Sequence, residues 1–270
     1  MTVLKGRGIS QEDAIPLIAE SGFQGCFWVA EEGVPASEPA RLAREAGLAM
    51  EFIHAPVTKV DTLWQEGEEG EYRFSNLENW IRQCGAAEIP CMVSHVWTKF
   101  LPLAPNSLGV DRFGKLLDLA EREGVNIAFE NAEVDEFLAS IYKAFRTHPA
   151  AGFCFDSGHE LCYNHGEDQL ALFGEKLLCT HLNDNMGQTG ERVTSQDDAH
   201  MMPFDGLVDW EWVARRLRAC EFSGPLTFEL KMKNKPERHT HDRYQKLTPR
   251  EILRLAYEKA ERFEKLLERF

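Results

Sequence analysis

The chain has 270 residues, 43% hydrophobic and 27% charged, which is enough apolar material for a sizeable core without disulfide support. Its 30 Lys and Arg face 44 Asp and Glu, and the resulting formal charge of -14 repels phosphate backbones in the absence of a local basic groove, so nucleic acid is a disfavoured partner. Seven cysteines, odd in number and never spaced as CxxC, argue against a secreted disulfide framework and a zinc ribbon, and point to reduced thiols in a cytoplasm.

The start, MTVLKGRGISQEDA, lacks the apolar core of a signal peptide, and no stretch approaches the roughly 20 apolar residues that span a bilayer. Residues 2–4 read as a stubby first strand. A helical pattern follows over 10–20, with Ser10 placed to cap it and Gly22 to close it. Residues 25–30 (GCFWVA) form a strand of bulky side chains, 38–46 a short helix stopped by Gly47, and 48–53 a strand that ends on His54. The acidic segment 60–71, which contains GEEGE, shows little periodicity and reads as a solvated excursion over one face. Residues 77–87 are helical, 90–95 (PCMVSH) a strand, and a Pro-rich loop leads to a helix over 110–123. Helices near 136–146, 168–174 and 210–219 then alternate with four more strands, and a last helix over 249–267 carries an apolar stripe that packs it along the outside.

Those four strands end alike. Residues 126–129 lead into Glu130, 153–155 into Asp156, 177–180 into His181 and 226–228 into Glu229, each a short apolar run finishing on one metal-competent side chain. About eight strands alternating with helices predict an α/β fold, a (β/α)8 TIM barrel in a single domain over 1–270, with all four side chains at the same end of a parallel sheet. One nitrogen and at least three oxygen donors, completed by water or substrate oxygens, give an octahedral shell for one divalent ion, Mn, Mg or Co ahead of Zn. Any one of these residues alone is as readily a surface ion pair or a packed core histidine; four together at four strand ends favour the metal.

FENAE, FDSGH, HLNDN, DDAHMMPFDGLVDW and LTFELK, in that order, resemble the xylose isomerase-like superfamily of barrels, which includes sugar-phosphate isomerases and epimerases, inosose dehydratases and the AP endonuclease family that contains endonuclease IV. The resemblance covers roughly residues 48–231. It implies that Glu130, Asp156, His181 and Glu229 hold the metal, with His159 and Asp184 touching substrate or the groups behind the ligands. A sugar or sugar phosphate chelated there would lose a proton to one of Glu130 and Glu229 and regain it from the other through an enediolate, the chemistry of an isomerase or epimerase. A dehydratase of a cyclitol or keto-sugar needs the same metal and base. His54, His95, Asp198 and His200, with the five residues above other than Asp184, match the nine ligand positions at which endonuclease IV gathers three zinc ions, so an abasic-site nuclease is the rival enzyme. A non-enzymatic sugar-binding barrel is disfavoured by the intact ligand set.

The 185–200 loop reads as a lid. KMKNKPERH (231–239), beginning at Lys231, reads either as a solvated loop or as a binder of phosphate or carboxylate, and Trp28, Trp97 and Phe204 either wall the sugar pocket or pack in the core. The chain departs from the superfamily in its short first strand and in Phe27 and Trp28, where the second strand often ends in a carboxylate. A short first strand predicts a gap in the barrel wall that a second copy of the chain would cover.

Overall fold

The computed structural model describes residues 8–100 and 103–270, so the expected first strand at 2–4 lies outside the described residues. Six strands, β1 (Gly25–Val29), β2 (Ala49–His54), β3 (Cys91–Ser94), β4 (Asn126–Glu130), β5 (Ala151–Asp156) and β6 (Leu177–His181), pair in chain order and all in parallel. Neighbouring parallel strands need a crossover, and the sequence supplies it each time. After α1 (Gln11–Glu20) come α2 (Ser37–Glu45), α3 (Glu68–Ala86), α4 (Ser107–Glu123), α5 (Asp135–Phe145), α6 (Ser157–Cys162), α7 (Gln169–Phe173), α8 (Trp210–Ala219) and α9 (Pro249–Leu267). None of these helices is long and apolar enough to cross a membrane.

The expected strand at 226–228 is reduced to a single parallel bridge between Leu182 and Phe228. Its cause is local. The Thr180 hydroxyl accepts from the Thr227 amide at 2.9 Å and lies 3.3 Å from the Thr227 carbonyl, standing in for a main-chain ladder partner. Leu182 N still donates to Thr227 O at 2.8 Å and Glu229 N to Leu182 O at 3.3 Å, which fixes Glu229 beside the end of β6. Among the described residues the sheet is thus a six-stranded half-barrel extended by this bridge; a closed eight-stranded cylinder is not seen.

Side chains alternate across the sheet with period two. Trp28, Ile53, Met92, Ile127, Phe129, Phe153 and Phe155 face the helices and belong to the main core. Phe27, Phe52, Cys91, Val93, Ala128, Cys154 and Cys179 form a second, smaller core on the opposite face. Continuing that inner row by two residues gives His54 after Phe52, His95 after Val93, Glu130 after Ala128, Asp156 after Cys154 and His181 after Cys179. The inner core is the floor of the site.

The 60–71 segment is not a solvated loop. Residues Val60–Trp64 form a buried turn of 3-10 helix, and α3 starts at Glu68, so that Glu68, Glu69 and Glu71 occupy its first turn, where acidic charge complements the helix dipole. Buried Arg112 from α4 donates to the carbonyls of Leu63 and Gln65 at 2.9 and 2.7 Å and pairs with Glu71. Gly70 is required there because a Cβ would come within 2.6 Å of the Thr62 carbonyl.

Candidate metal centre

His54 and Glu130 end β2 and β4, His95 directly follows β3, and Asp156 and His181, register partners, end β5 and β6. Asp156 also caps α6, accepting from the His159 amide at 2.7 Å, which turns the chain so that His159 enters the same space. Asp198 and His200 come from the long segment after β6, and Glu229 from the Phe228 bridge. His200 takes a left-handed backbone, φ 50°, unusual away from glycine, and is tethered by Lys231 N donating to His200 O at 3.1 Å.

These nine side chains form one connected cluster. Glu130 is its hub: Oε2 lies 3.3 Å from His54 Nε2 and 3.1 Å from His95 Nε2, and Oε1 lies 3.0 Å from His181 Nδ1 and 3.3 Å from His159 Nδ1. His181 Nδ1 is also 3.2 Å from Glu229 Oε2, and Asp198 Oδ1 is 2.7 Å from His200 Nε2 and 3.4 Å from His159 Nε2. Ligand atoms of His54, Glu130, His181 and Glu229 all fall within 4.8 Å of one another, as do those of Asp156, His159 and His200. Three of the four expected ligands therefore share one group with His54, while Asp156 sits in the adjoining group.

Two observations fit this cluster to metal. His54, His159 and His200 each place Nδ1 on a backbone carbonyl, of Ala55, Asn131 and Glu229, at 2.9, 2.9 and 3.2 Å. A carbonyl only accepts, so Nδ1 carries a proton, and Nε2, which faces a carboxylate of Glu130 or Asp198, is the nitrogen that could take a metal on giving up its own proton, the arrangement that orients histidine ligands. Further, His95 Nδ1 and His181 Nε2 are buried without a hydrogen-bond partner among the described residues. Buried polar atoms in native folds are seldom left so.

At His95, His159, His181, Glu130, Asp156, Asp198 and Glu229 burial is the largest influence, lowering imidazoles and raising carboxyls, and mutual charge overrules it at all but Asp156. Glu130 and Glu229 hold His181 up at about 9, Asp156 and Asp198 hold His159 well above its ordinary value, and Glu130 raises His95. In turn His181 and His95 keep Glu130 well below the usual carboxylate range, His200 and Lys231 do the same for Asp198, and His200, His181 and Lys231 bring Glu229 to about 2. Asp156 is the exception, raised by burial against the pull of His159. His95, His159 and His181 are pushed toward the positive charge that the carboxylates demand, which is the charge a divalent ion would supply in exchange for protons.

Residues 13–249 match the family model of the xylose isomerase-like TIM barrel. The chain belongs to that family. A Sinorhizobium fredii (strain NBRC 101917 / NGR234) protein, y4fM, is 27% identical over 258 residues, covering 81% of this chain and 80% of its own length. A xylose isomerase-like TIM barrel/4-hydroxyphenylpyruvate dioxygenase fusion protein superposes with TM-score 0.72 and 16% identity over 98% of this chain, which spans 42% of the fusion. A D-psicose 3-epimerase of Clostridium cellulolyticum H10, solved with D-tagatose, gives TM-score 0.72 at 12% identity, covering 98% of this chain and 96% of its own. At such identities the likeness to solved structures is one of fold.

Within this family frame, the remaining sequence candidates divide. Lys231 reaches the cluster, its Nζ 3.2 Å from Asp198 Oδ2. Asp184 does not: its carboxylate accepts from the amides of Asn185 and Val208 and from Trp210 Nε1 at 2.8, 2.9 and 2.9 Å, which pins the 205–210 segment. Trp28 and Trp97 are core residues, Trp97 stacked 4.0 Å from Phe137, and Phe204 lies under the Arg262 guanidinium. Phe27, where a carboxylate was the family expectation, stacks 5.2 Å from the His181 ring as part of the floor. Sequence reasoning missed Glu133, whose buried Oε2 is 3.9 Å from His95 Nδ1, and Asn183, whose Nδ2 donates to Asp156 Oδ2 at 2.8 Å. Both lie inside quoted motifs, FENAE and HLNDN, beside the residues singled out there.

Proposed function

We propose that this chain is a divalent-metal-dependent isomerase or epimerase of a sugar or sugar derivative, working by proton transfer. The observation that carries the reading is the convergence of Glu130 and Glu229 on one imidazole, His181, in a buried cluster of metal-competent groups. The family fold and the sugar epimerases among its structural neighbours support it. Glu130, His181 and Glu229, with His54 and Asp156 beside them, are the residues that would hold the ion. A divalent ion in that position polarises an adjacent carbonyl and hydroxyl pair, acidifying the neighbouring C–H.

The two glutamates are not equivalent. The Glu130 side chain is fully buried with four histidines around its oxygens, whereas that of Glu229 is 11% exposed and faces two. Glu229 is therefore the group that first removes the substrate proton, and Glu130 mainly sets the charge of the histidines. Both carboxylates are ionised at neutral pH, as a base must be.

Deuterium wash-in from solvent, measured over a panel of ketoses, aldoses and their phosphates with Mn present, tests this. Wild type is expected to exchange at least one sugar, Glu229→Gln to lose exchange while retaining metal, and Glu130→Gln to lose both. Exchange by both variants at the parental rate would remove the proposed roles, and a panel with no exchange would remove the reaction.

The two adjoining groups of metal-competent side chains, seven residues joined to His95 and Asp198 by close contacts, favour a second reading, a multinuclear abasic-site nuclease. About three zinc ions per chain together with cleavage of abasic DNA would establish it.

A further inference from the structure

Beside the metal centre, two loops meet through cations. Lys235 donates to the Ser195 carbonyl at 2.6 Å, and the Arg238 guanidinium lies 3.6 Å from Asp197, itself tied by the hydroxyls and amides of Thr189 and Thr194. The lysines are thus placed by the fold. Lys231 and Lys235 both approach the same oxygen, Asp198 Oδ2, at 3.2 and 3.6 Å, while Oδ1 of that carboxylate faces His200 and His159.

The charges do not balance. One carboxylate is shared by two ammonium groups, and no other carboxylate among the described residues is within ion-pair distance of either. Lys231 would suffice to hold Asp198. Lys235, already anchored on Ser195, adds a second charge with no anion of its own. Their side chains are 30% and 23% exposed, so they are neither freely hydrated surface lysines nor sealed core groups. A partly desolvated ammonium gains more from an anionic partner than one in bulk water. In a chain of net charge -14, such a surplus beside an acidic cluster is a local exception.

We infer that Lys231 and Lys235 form an oxyanion subsite at the rim of the metal centre, so that the substrate carries a carboxylate or a phosphate. This rests on the isomerase or epimerase reading for the identity of the remaining substrate as a sugar. Ammonium groups act as point charges without the bidentate fork of arginine, and so suit either oxyanion.

Calorimetric titration of inorganic phosphate and of D-glucuronate, with D-glucose as the neutral control, into metal-loaded wild type, Lys235→Met and Lys231→Met tests the subsite. Circular dichroism and metal content are measured on each protein. At least one anion is expected to bind wild type and to bind Lys235→Met about tenfold more weakly, with fold and metal unchanged. Loss confined to phosphate identifies a phosphorylated substrate, and loss confined to glucuronate an acidic sugar. Failure of both anions to bind wild type, or equal binding by all three proteins, would overturn the inference. Solvent exchange separates this from the parent reading. Equal exchange of neutral and anionic ketoses in wild type and Lys235→Met sinks the subsite alone, whereas lysine-dependent anion binding without exchange of any sugar upholds the subsite and sinks the isomerase.

Discussion

Gly158→Ala is a test of the site that changes no ionisable group. Gly158 sits in the first turn of α6, and a Cβ there would overlap the Asn183 side-chain oxygen. That oxygen has no hydrogen-bond partner, but the same amide donates through Nδ2 to Asp156 Oδ2 at 2.8 Å, and the Asn183 backbone is clasped by the Ser157 hydroxyl at 2.7 and 3.1 Å. The amide has to move. Losing a hydrogen bond to a buried carboxylate costs about 1.5–3 kcal/mol and overpacking a further 1–3, while Ala in place of Gly in a helix returns at most about 1. The net is a destabilisation of about 1.5–5 kcal/mol, or roughly 3–20 °C in Tm for a chain of this length. Thermal melts of metal-free and metal-loaded protein, with metal content by mass spectrometry, measure it. A Tm within about 2 °C of wild type and an unchanged metal content would show that Asn183 does not hold Asp156 as described.

Three further perturbations have definite expectations. Glu133 is the group that faces His95 Nδ1, where the other histidines with an oriented Nδ1 have a carbonyl, so Glu133→Ala is expected to weaken metal binding by about 10–100-fold in a chelator competition, with Glu133→Gln intermediate. Arg112→Ala removes the donors that hold the 60–65 turn and is expected to cost about 3 kcal/mol or more, read from the urea midpoint. Burial and the neighbouring Glu167 push the Asp135 carboxyl up to about 6 from 3.8. A carboxyl whose pKa is higher folded than unfolded costs stability as pH rises between those values and in full above the higher, so Asp135→Asn is expected to gain about 1 kcal/mol near pH 8, after allowance for its partial exposure, and nothing below pH 4. Paired melts at the two pH values check the sign.

The six described strands were legible as apolar runs, and in five of them, β2 to β6, the inner row continued by two residues lands on a ligand-type side chain. Period two places Glu130 as surely as it places Ala128. The bridge at Phe228 was read as a full strand because nothing in the run 226–228 announces that the Thr180 hydroxyl will intercept Thr227. The start of α3 was hidden because its first turn is acidic and lacks apolar periodicity, and its anchoring depends on Arg112, about forty positions away in sequence. Asp184 illustrates the limit for site residues. A buried Asp in HLNDN has the same composition signal as a ligand, and the tertiary contacts of Val208 and Trp210 make it a clamp.

Asp156 has one further consequence. Its Oδ1 starts α6, its Oδ2 holds Asn183, and the carboxyl belongs to the metal-competent cluster, so the same atoms begin a helix and complete a site. Replacing it deletes a folding instruction together with a candidate ligand. An inactive Asp156 variant therefore reports two losses that no activity assay can separate, whereas the lysine and Glu229 variants alter chemistry on a backbone that other contacts already hold.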